Sequence, residues 1–417
     1  MDLDIVQKKI IFADFIRLGI VSYIVVFILI AFIGVAADLL ASRNERLSEQ
    51  IYKVAFGLVA LWCIMKYAIG PDINFYIPFY EETQSVLYTL RHLGESRFEA
   101  GFTILCSLFH TCGISFWGMT AIISVFYFVV IYLLFRRIDR FRTLALLMLV
   151  CLDYNLILME FRQCLAVSFF YLFVLLLEKK HYAWAIPAAL LSAGMHKSAV
   201  VVFIVFCLLY LCGRVQVSTR EYILLGLLII GLLLIPLQPI LLKAIELLPL
   251  SASQLTSVRH HLTIGAPFQK ILIVYLASIF VLAYYTVPQN DGKRKHWIIW
   301  CCVAVLVCLY PYWFLLNRLR SYFLPFLIVY VANVIQRSPR KDALLKQIYS
   351  FVLIAYSVVL MIDIPRKNGQ LRYPTDSISL VTERFFHSEE ELQQRQIRQA
   401  KLYWDYDYPV MIKRGIQ

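Results

Sequence analysis

The sequence predicts an all-α polytopic integral membrane protein with about twelve transmembrane helices, and three observations support this fold class. First, 61% of the 417 residues are hydrophobic and only 16% are charged. Second, the mean hydropathy is +0.71. Third, apolar runs long enough for a membrane helix recur along the chain. A soluble domain is about half apolar and about a quarter charged, so most of this chain must be solvated by lipid.

The same composition excludes several classes of protein. It is incompatible with a soluble enzyme, a disordered regulator and a secreted disulfide scaffold. The net charge of +13 does not indicate nucleic-acid binding, because basic loops set the orientation of membrane proteins. The ten cysteines show neither CxxC nor zinc-finger spacing, so we predict no metal site and no cofactor.

The candidate membrane helices follow from the apolar runs, since a spanning helix needs about 20 apolar residues. The runs cover 18–40, 51–69, 115–135, 141–158, 161–178, 182–195, 198–212, 221–236, 270–287, 297–316, 319–336 and 344–363. Several of the middle runs are short, and Pro187 and Pro236 should kink or end theirs. Residues 1–364 therefore form the predicted transmembrane domain, and 365–417 form a polar tail.

The orientation follows from the distribution of Lys and Arg in the loops. The basic loops are 41–50, 136–142, 178–181, 213–220, 288–296 and 337–343, with sixteen Lys and Arg in 45 positions. The alternate loops are 70–114, 159–162, 195–198, 237–269 and 317–320, with eight in 90. The basic set is therefore predicted to lie inside, which places both termini and the polar tail outside.

This orientation constrains the first long outer loop, 70–114. If its apolar stretch 100–113 crossed the membrane, the basic cluster that follows at 136–142 would lie outside. We therefore predict that 100–113 forms a re-entrant or surface-lying helix. The second long outer loop, 237–269, contains another amphipathic stretch.

The informative residues are cations on the outer side, where topology gives no reason for them. Arg162, Lys197, Arg318 and Arg320 lie at or just inside the outer ends of predicted helices. Ionisable residues at such depth usually face a bundle interior or a wet cavity. Since the planar guanidinium suits phosphate and diphosphate, these corners predict an anion site. Snorkelling to lipid phosphates, or pairing with neighbours such as Glu160, is the competing explanation.

Three further side chains carry candidate chemistry. His196 stands beside Lys197 and could accept a proton from an attacking hydroxyl, although an isolated histidine at a helix end is more often a packing residue. Asp72 and Tyr76 follow a helix break in the first outer loop. Carboxylates interleaved with aromatic rings suit sugars, whereas an interfacial aromatic belt would explain the tyrosines as well.

Four segments of this sequence resemble the EpsG-like family of Wzy-type polysaccharide polymerases. They are KYAIGPDINFY, FEAGFTILCSLF, FRQCLAVSFFYLFVLLLEKKHYAWAIPAALLSAGMHKSAVVVF and NRLRSYFLPF. The third is the most distinctive, with an Arg-Gln-x-x-Ala helix start and a helix that ends in Ala-x-x-x-His-x-Ser. The chain departs from the family pattern at Lys66, where an arginine is usual, and at Pro71 and Ile73.

The resemblance implies a GT-C-like fold and a glycosyltransferase that uses neither metal nor nucleotide. It also implies that the protein lies in the bacterial inner membrane and that its active site faces the periplasm. Its substrate would be an undecaprenyl-diphosphate-linked oligosaccharide, polymerised for O-antigen, capsule or exopolysaccharide, and a chain-length regulator is a candidate partner. The expected diphosphate-binding residues are Arg162, Arg318, Arg320 and Lys197. Catalysis would use His196 with Arg162 and Arg318. The acceptor sugar would bind Asp72, Tyr76 and Glu99.

Three alternatives remain open at the level of the sequence. An O-antigen ligase would share the lipid diphosphate donor and an outer Arg/His site. A lipid-linked oligosaccharide flippase or transporter also fits twelve spans, but the chain shows no convincing internal repeat. A membrane O-acyltransferase would explain His196 and leave the arginines unexplained.

Overall fold

The computed structural model describes residues 33–34, 44–64, 72–138, 141–212, 224, 242–243, 313–337 and 397. These residues form helices and the turns between them, and none of them lies in a β-strand. The all-α prediction is therefore confirmed for this part of the chain. Most of the predicted spans at 18–40, 221–236, 270–287, 297–316 and 344–363, with the polar tail and nearly all of 237–269, lie outside the described residues.

Ten α-helices are numbered here in chain order. They are α1 Glu45–Ile64, α2 Ile73–Glu81, α3 Val86–Arg91, α4 Ala100–Thr111, α5 Phe116–Phe135, α6 Arg142–Leu158, α7 Phe161–Glu178, α8 Tyr182–Met195, α9 Ser198–Cys212 and α10 Trp313–Arg337. The bounds of α5 to α9 agree with the predicted runs to within one residue. Local features explain two of these limits. The Ser115 hydroxyl caps the start of α5 by accepting the Gly118 N–H. The chain leaves the helical conformation after α7, where Lys180 has a φ of 60°.

Three described helices, α1, α5 and α7, are long and apolar enough to cross a membrane. The helices α4 and α8 and the segment Ser198–Leu208 are shorter apolar helices. Leu58 on α1 and Val129 on α5 are more than half exposed in the isolated chain. Apolar side chains exposed along long apolar helices are stable only against lipid or further apolar helices. The chain is thus a membrane protein, as predicted.

The first outer loop contains more structure than the sequence predicted. The predicted helix within 100–113 is present as α4, whose 12 residues extend about 18 Å and cannot cross a hydrocarbon core of about 30 Å. The helices α2 and α3 were not predicted. Two hydrogen bonds hold this segment to the rest of the loop. The Tyr80 hydroxyl of α2 donates to the Ile114 carbonyl at 2.5 Å. The Ser107 hydroxyl of α4 donates to the carbonyl of Gln84, between α2 and α3, at 2.6 Å.

The chain divides into two compact units, with a boundary between His196 and Lys197. In the first unit, α7 and α8 pack along each other, and the buried Ser192 hydroxyl of α8 donates to the Ala166 carbonyl of α7 at 2.7 Å. Aromatic contacts join α1 to α5, including Phe56 against Phe128 at 5.7 Å between ring centroids.

A glycine pair joins the outer loop to α8. A Cβ atom at Gly101 of α4 would lie 2.7 Å from the Gly194 carbonyl oxygen of α8, which is closer than real Cβ contacts. A Cβ atom at Gly194 would meet Gly101 no closer than 3.7 Å, an ordinary van der Waals distance. Only Gly101 is therefore required by the close approach of the two helices.

The helix α6 is interrupted at Asp153, whose φ of −128° and ψ of 26° are not helical. The residue is buried, with 2% of its surface exposed. Aspartate competes for backbone hydrogen bonds in helices, which accounts for a kink at this position.

In the second unit, α9 and α10 are linked by a hydrogen bond of 3.1 Å between the hydroxyls of Ser198 and Tyr322. The prediction of a loop at 317–320 is wrong, because α10 includes these residues and begins no later than Trp313. Arg318 and Arg320 therefore lie within a helix.

The glycine pair generates a stability prediction with an internal control. We expect Gly101→Ala to lower the free energy of unfolding by about 1–3 kcal/mol, the usual cost of overpacking, because the Gly194 backbone must move. Gly194→Ala should have little effect. Thermal unfolding of both purified variants in detergent checks this, and equal midpoints for the two variants would contradict the asymmetric contact.

Candidate functional site

Arg162 occupies an electrostatically unfavourable place. It is the second residue of α7, and the amino terminus of a helix carries partial positive charge that favours anions and disfavours cations. Its side chain is only 16% exposed, so water provides little of the compensation. An anion beside the guanidinium is therefore required.

Glu99 supplies that anion from the first outer loop. Nη1 of Arg162 donates to Oε2 of Glu99 in an ion pair that joins residues 63 positions apart. Nε of Arg162 donates to the Tyr76 hydroxyl at 3.1 Å. The guanidinium carbon lies 4.3 Å from the centroid of the Phe98 ring, a cation–π distance. Arg162 is thus fixed by a carboxylate, a phenol and a ring.

One edge of this guanidinium is still available to a ligand. Among the described residues, Nη2 of Arg162 donates no hydrogen bond to a protein group. An arginine side chain has five N–H donors in a planar fork, and two parallel donors can bind one phosphate. The arrangement can therefore present a pre-oriented donor to an anion.

Local hydrogen bonds fix the segment that carries Glu99. Glu99 is the residue before α4, with extended backbone (φ −61°, ψ 143°) and no capping hydrogen bond from its side chain. The Ser96 and Thr103 hydroxyls are 2.7 Å apart, and the Ser96 hydroxyl also accepts the Phe98 N–H at 3.2 Å. Hydrogen bonds of residues on both sides of Glu99 therefore hold its backbone in place.

Tyr76 is held in an aromatic cage. Its ring centroid lies 5.5 Å from that of Phe98, 6.0 Å from that of Phe102 and 5.7 Å from that of Phe161. Burial raises the pKa of the Tyr76 hydroxyl above its ordinary value, and the nearby Asp72 charge raises it further, although Arg162 acts to lower it. The phenol thus stays protonated at physiological pH and can donate a hydrogen bond as well as accept one.

Two further acids belong to this neighbourhood. Asp72 and Glu160 both act electrostatically on the Tyr76 hydroxyl. Asp72 precedes α2, and its carbonyl accepts the Tyr76 N–H at 3.1 Å. Glu160 precedes α7. We call Asp72, Tyr76, Glu99, Glu160 and Arg162 the Arg162 cluster, which contains one cation and three carboxylates.

His196 belongs to the same unit and is brought towards the cluster by the glycine contact. Glu99 precedes Gly101 by two residues, and His196 follows Gly194 by two residues. His196 is 4% exposed. It ends α8 in extended conformation, and its N–H donates to the Ser192 carbonyl at 3.3 Å. Lys197, the next residue, is exposed.

Arg318 and Arg320 lie in the second unit, on α10. Both side chains are half-buried, and Leu319 between them is fully buried. Residues two apart on a helix do not face each other, so these arginines project from different sides of α10.

The structure joins residues to which sequence reasoning gave separate roles. Arg162 was assigned to the diphosphate, whereas Tyr76 and Glu99 were assigned to the acceptor sugar; Arg162 is in direct contact with both. The ion pair is formed with Glu99 and not with the adjacent Glu160. Sequence reasoning missed Phe98 beneath the guanidinium, although it directly precedes Glu99 in the FEAGF motif. No group of three or more metal-ligating side chains occurs among the described residues.

Comparisons with known proteins identify a family for this chain. The model of the EpsG family matches residues 51–375, a range that includes every residue of the Arg162 cluster, His196 and the arginines of α10. Neither the comparison with curated proteins nor the comparison with solved structures gave a match.

The ion pair generates a testable prediction about stability. We expect Glu99→Met alone to destabilise the protein by about 3–5 kcal/mol, because it leaves a buried cation without its carboxylate. Arg162→Met alone should have a comparable effect, since it leaves a buried carboxylate. The double variant should be more stable than either single variant.

Thermal unfolding of the three purified variants and the wild type completes the double-mutant cycle. Additive losses, with the double variant the least stable, would show that the two side chains do not depend on each other.

Proposed function

Because this chain belongs to the EpsG family of Wzy-type polysaccharide polymerase-like membrane proteins, we propose that it polymerises lipid-linked repeat units. In this reaction a glycan carried on undecaprenyl diphosphate is transferred to the non-reducing sugar of the next lipid-linked unit. The family match carries the proposal, and the Arg162 cluster supports it.

The chemistry defines what the site must supply. The oxygen of an acceptor hydroxyl attacks the anomeric carbon of the growing chain, and the bond from that carbon to the diphosphate oxygen breaks. The lipid diphosphate leaves with the bonding electrons, and the hydroxyl proton passes to a base. Charge develops on the leaving group, so cations fixed in a weakly polar site stabilise the transition state most effectively.

The proposed roles follow from these requirements. Arg162 presents Nη2 to the diphosphate and is held at a fixed angle by its other contacts. For Arg318, Arg320 and Lys197 we propose the diphosphate-binding role that the resemblance implies. His196 accepts the proton, since an imidazole is the side chain best suited to proton transfer near neutral pH.

The acceptor sugar is assigned to the rest of the Arg162 cluster. Asp72 and Glu99 carry carboxylates that accept hydrogen bonds from sugar hydroxyls. Tyr76 contributes a protonated hydroxyl. Arg97, two residues before Glu99, is exposed, and its guanidinium lies 4.9 Å from the centroid of the Phe75 ring.

The proposed setting is the bacterial inner membrane, with about twelve spans, a GT-C-like arrangement and both termini on the periplasmic side. The cations then face the leaflet from which flipped lipid-linked units arrive. A chain-length regulator is the proposed protein partner.

Deletion of the gene tests the reaction in the cell. We expect long polysaccharide chains to disappear while a single repeat unit still reaches the cell surface, as seen on a gel of surface polysaccharide. Polymer that accumulates on undecaprenyl diphosphate would instead indicate a ligase. Single units trapped at the inner face would indicate a flippase, and an unchanged pattern would place the protein outside the pathway.

Substitution of Arg162 tests the site. We expect Arg162→Gln to abolish chain growth per amount of membrane-inserted protein, because it removes the cation; quantifying the protein in the membrane separates this loss from the lower stability of the variant. Arg162→Lys should lose most activity, since a single ammonium cannot reproduce the fork, the Tyr76 contact and the stacking on Phe98. Arg91→Gln, at an exposed arginine of the same outer segment, is the matched control. Near-normal chains from Arg162→Gln would contradict the assignment.

A further inference from the structure

We infer that Glu99 and the lipid diphosphate occupy Arg162 in turn, so that donor binding releases the Glu99 carboxylate to hold a hydroxyl of the acceptor sugar. This inference rests on the proposed function and adds an order to it: the donor binds before the acceptor. Glu99 then pairs with Arg162 only until the diphosphate binds and is not its permanent partner.

Charge is the first argument for exchange. Glu99 already places one negative charge on the guanidinium, and a diphosphate adds at least one further negative charge there. Like charges in a partly buried site repel strongly, because little water screens them. A diphosphate on Arg162 therefore favours departure of the carboxylate that is bound there.

The geometry permits such an exchange without loss of the arginine's orientation. The contacts of Arg162 with the Tyr76 hydroxyl and with the Phe98 ring are uncharged, so they persist when Glu99 leaves. An incoming phosphate can bind first at Nη2, which donates to no described residue, and then at Nη1 when Glu99 departs. The result is a bidentate arginine–phosphate contact.

Glu99 is placed so that it can move. Its side chain makes no capping hydrogen bond to α4, although glutamate at this position is close to the helix amino terminus. The backbone around it is held by the Ser96 and Thr103 hydroxyls, so rotation of the side chain leaves the segment intact. Once it leaves Arg162, the carboxylate can accept hydrogen bonds from donors such as sugar hydroxyls.

The pair also differs from two other long-range ion pairs among the described residues of the first unit. Arg137 and Glu178 are 33% and 50% exposed, and Arg142 and Glu49 are 22% and 46% exposed. In the Arg162–Glu99 pair the values are 16% and 12%. Ion pairs on the surface contribute little to stability. The Arg162–Glu99 pair is shielded from water and lies beside an available edge of the guanidinium, so an incoming anion can replace the carboxylate there.

The test uses the purified full-length protein in lipid nanodiscs and undecaprenyl diphosphate as the probe. We expect Glu99→Gln, which removes the competing charge but keeps the shape, to bind the probe roughly fivefold more tightly or better, the scale of coupling between two ligands of one site. The same variant should fail to extend chains in cells. Glu95→Gln, at an exposed acid of the same segment, should bind and elongate like the wild type.

Equal or weaker probe binding by Glu99→Gln would overturn the exchange and make Glu99 a permanent orienting partner. Wild-type protein that binds no undecaprenyl diphosphate would overturn the proposed function as well, so the two failures are distinguishable.

A second measurement needs no variant and applies even if Glu99→Gln fails to fold. Carbodiimide modification of Glu99 in the wild-type protein can be followed by mass spectrometry of its peptides. We expect undecaprenyl diphosphate to increase modification of Glu99, because the carboxylate leaves Arg162, and undecaprenol without phosphate to leave it unchanged. Equal or decreased modification with the diphosphate would contradict the exchange.

Discussion

A guanidinium in the first turn of a membrane helix requires an anion beside it, and this constraint organises the described site. Arg162 gains nothing from the dipole of α7 and has little contact with water. Glu99 meets the requirement from a segment 63 residues earlier. The fold must therefore bring the first outer loop onto the start of α7, and much of the local packing serves that placement.

The glycine pair and the aromatic cage show how the placement is achieved. Gly101 allows α4 to approach the backbone of α8 so closely that a methyl group would not fit. Phe98, Phe102 and Phe161 enclose Tyr76 from three sides. These contacts fix Glu99, Tyr76 and Arg162 relative to one another before any substrate binds. Tyr76 and Arg162 keep this arrangement when the donor binds, and preorganised groups are effective in catalysis because they need not reorganise when charge develops.

Sequence reasoning succeeded where the determinants are local. The limits of α7 and α8 were predicted to the residue, because an apolar run that is bounded by charge or by a turn defines a membrane helix. It failed at the start of α10, where apolar residues continue through Arg318 and Arg320, and the two arginines were taken for a loop. It also missed α2 and α3, which are short and depend on tertiary hydrogen bonds.

The site was only partly predictable for the same reason. Its charged and aromatic residues stand out in the sequence because they conflict with their surroundings, and the resemblance to a family grouped them. The contacts between these residues could not be predicted. No spacing rule links Glu99 to Arg162, and Glu160 is much nearer to Arg162 in the sequence. A buried ion pair across 63 residues is a property of the packed chain.

The most direct test of the account is reconstitution of the purified protein with an undecaprenyl-diphosphate-linked repeat unit. The account predicts glycans of two or more repeat units and release of one undecaprenyl diphosphate for each linkage formed, with both products absent for Arg162→Gln. Glycan that crosses the bilayer without being joined would contradict the account, as would elongation that proceeds unchanged without the Arg162 cation.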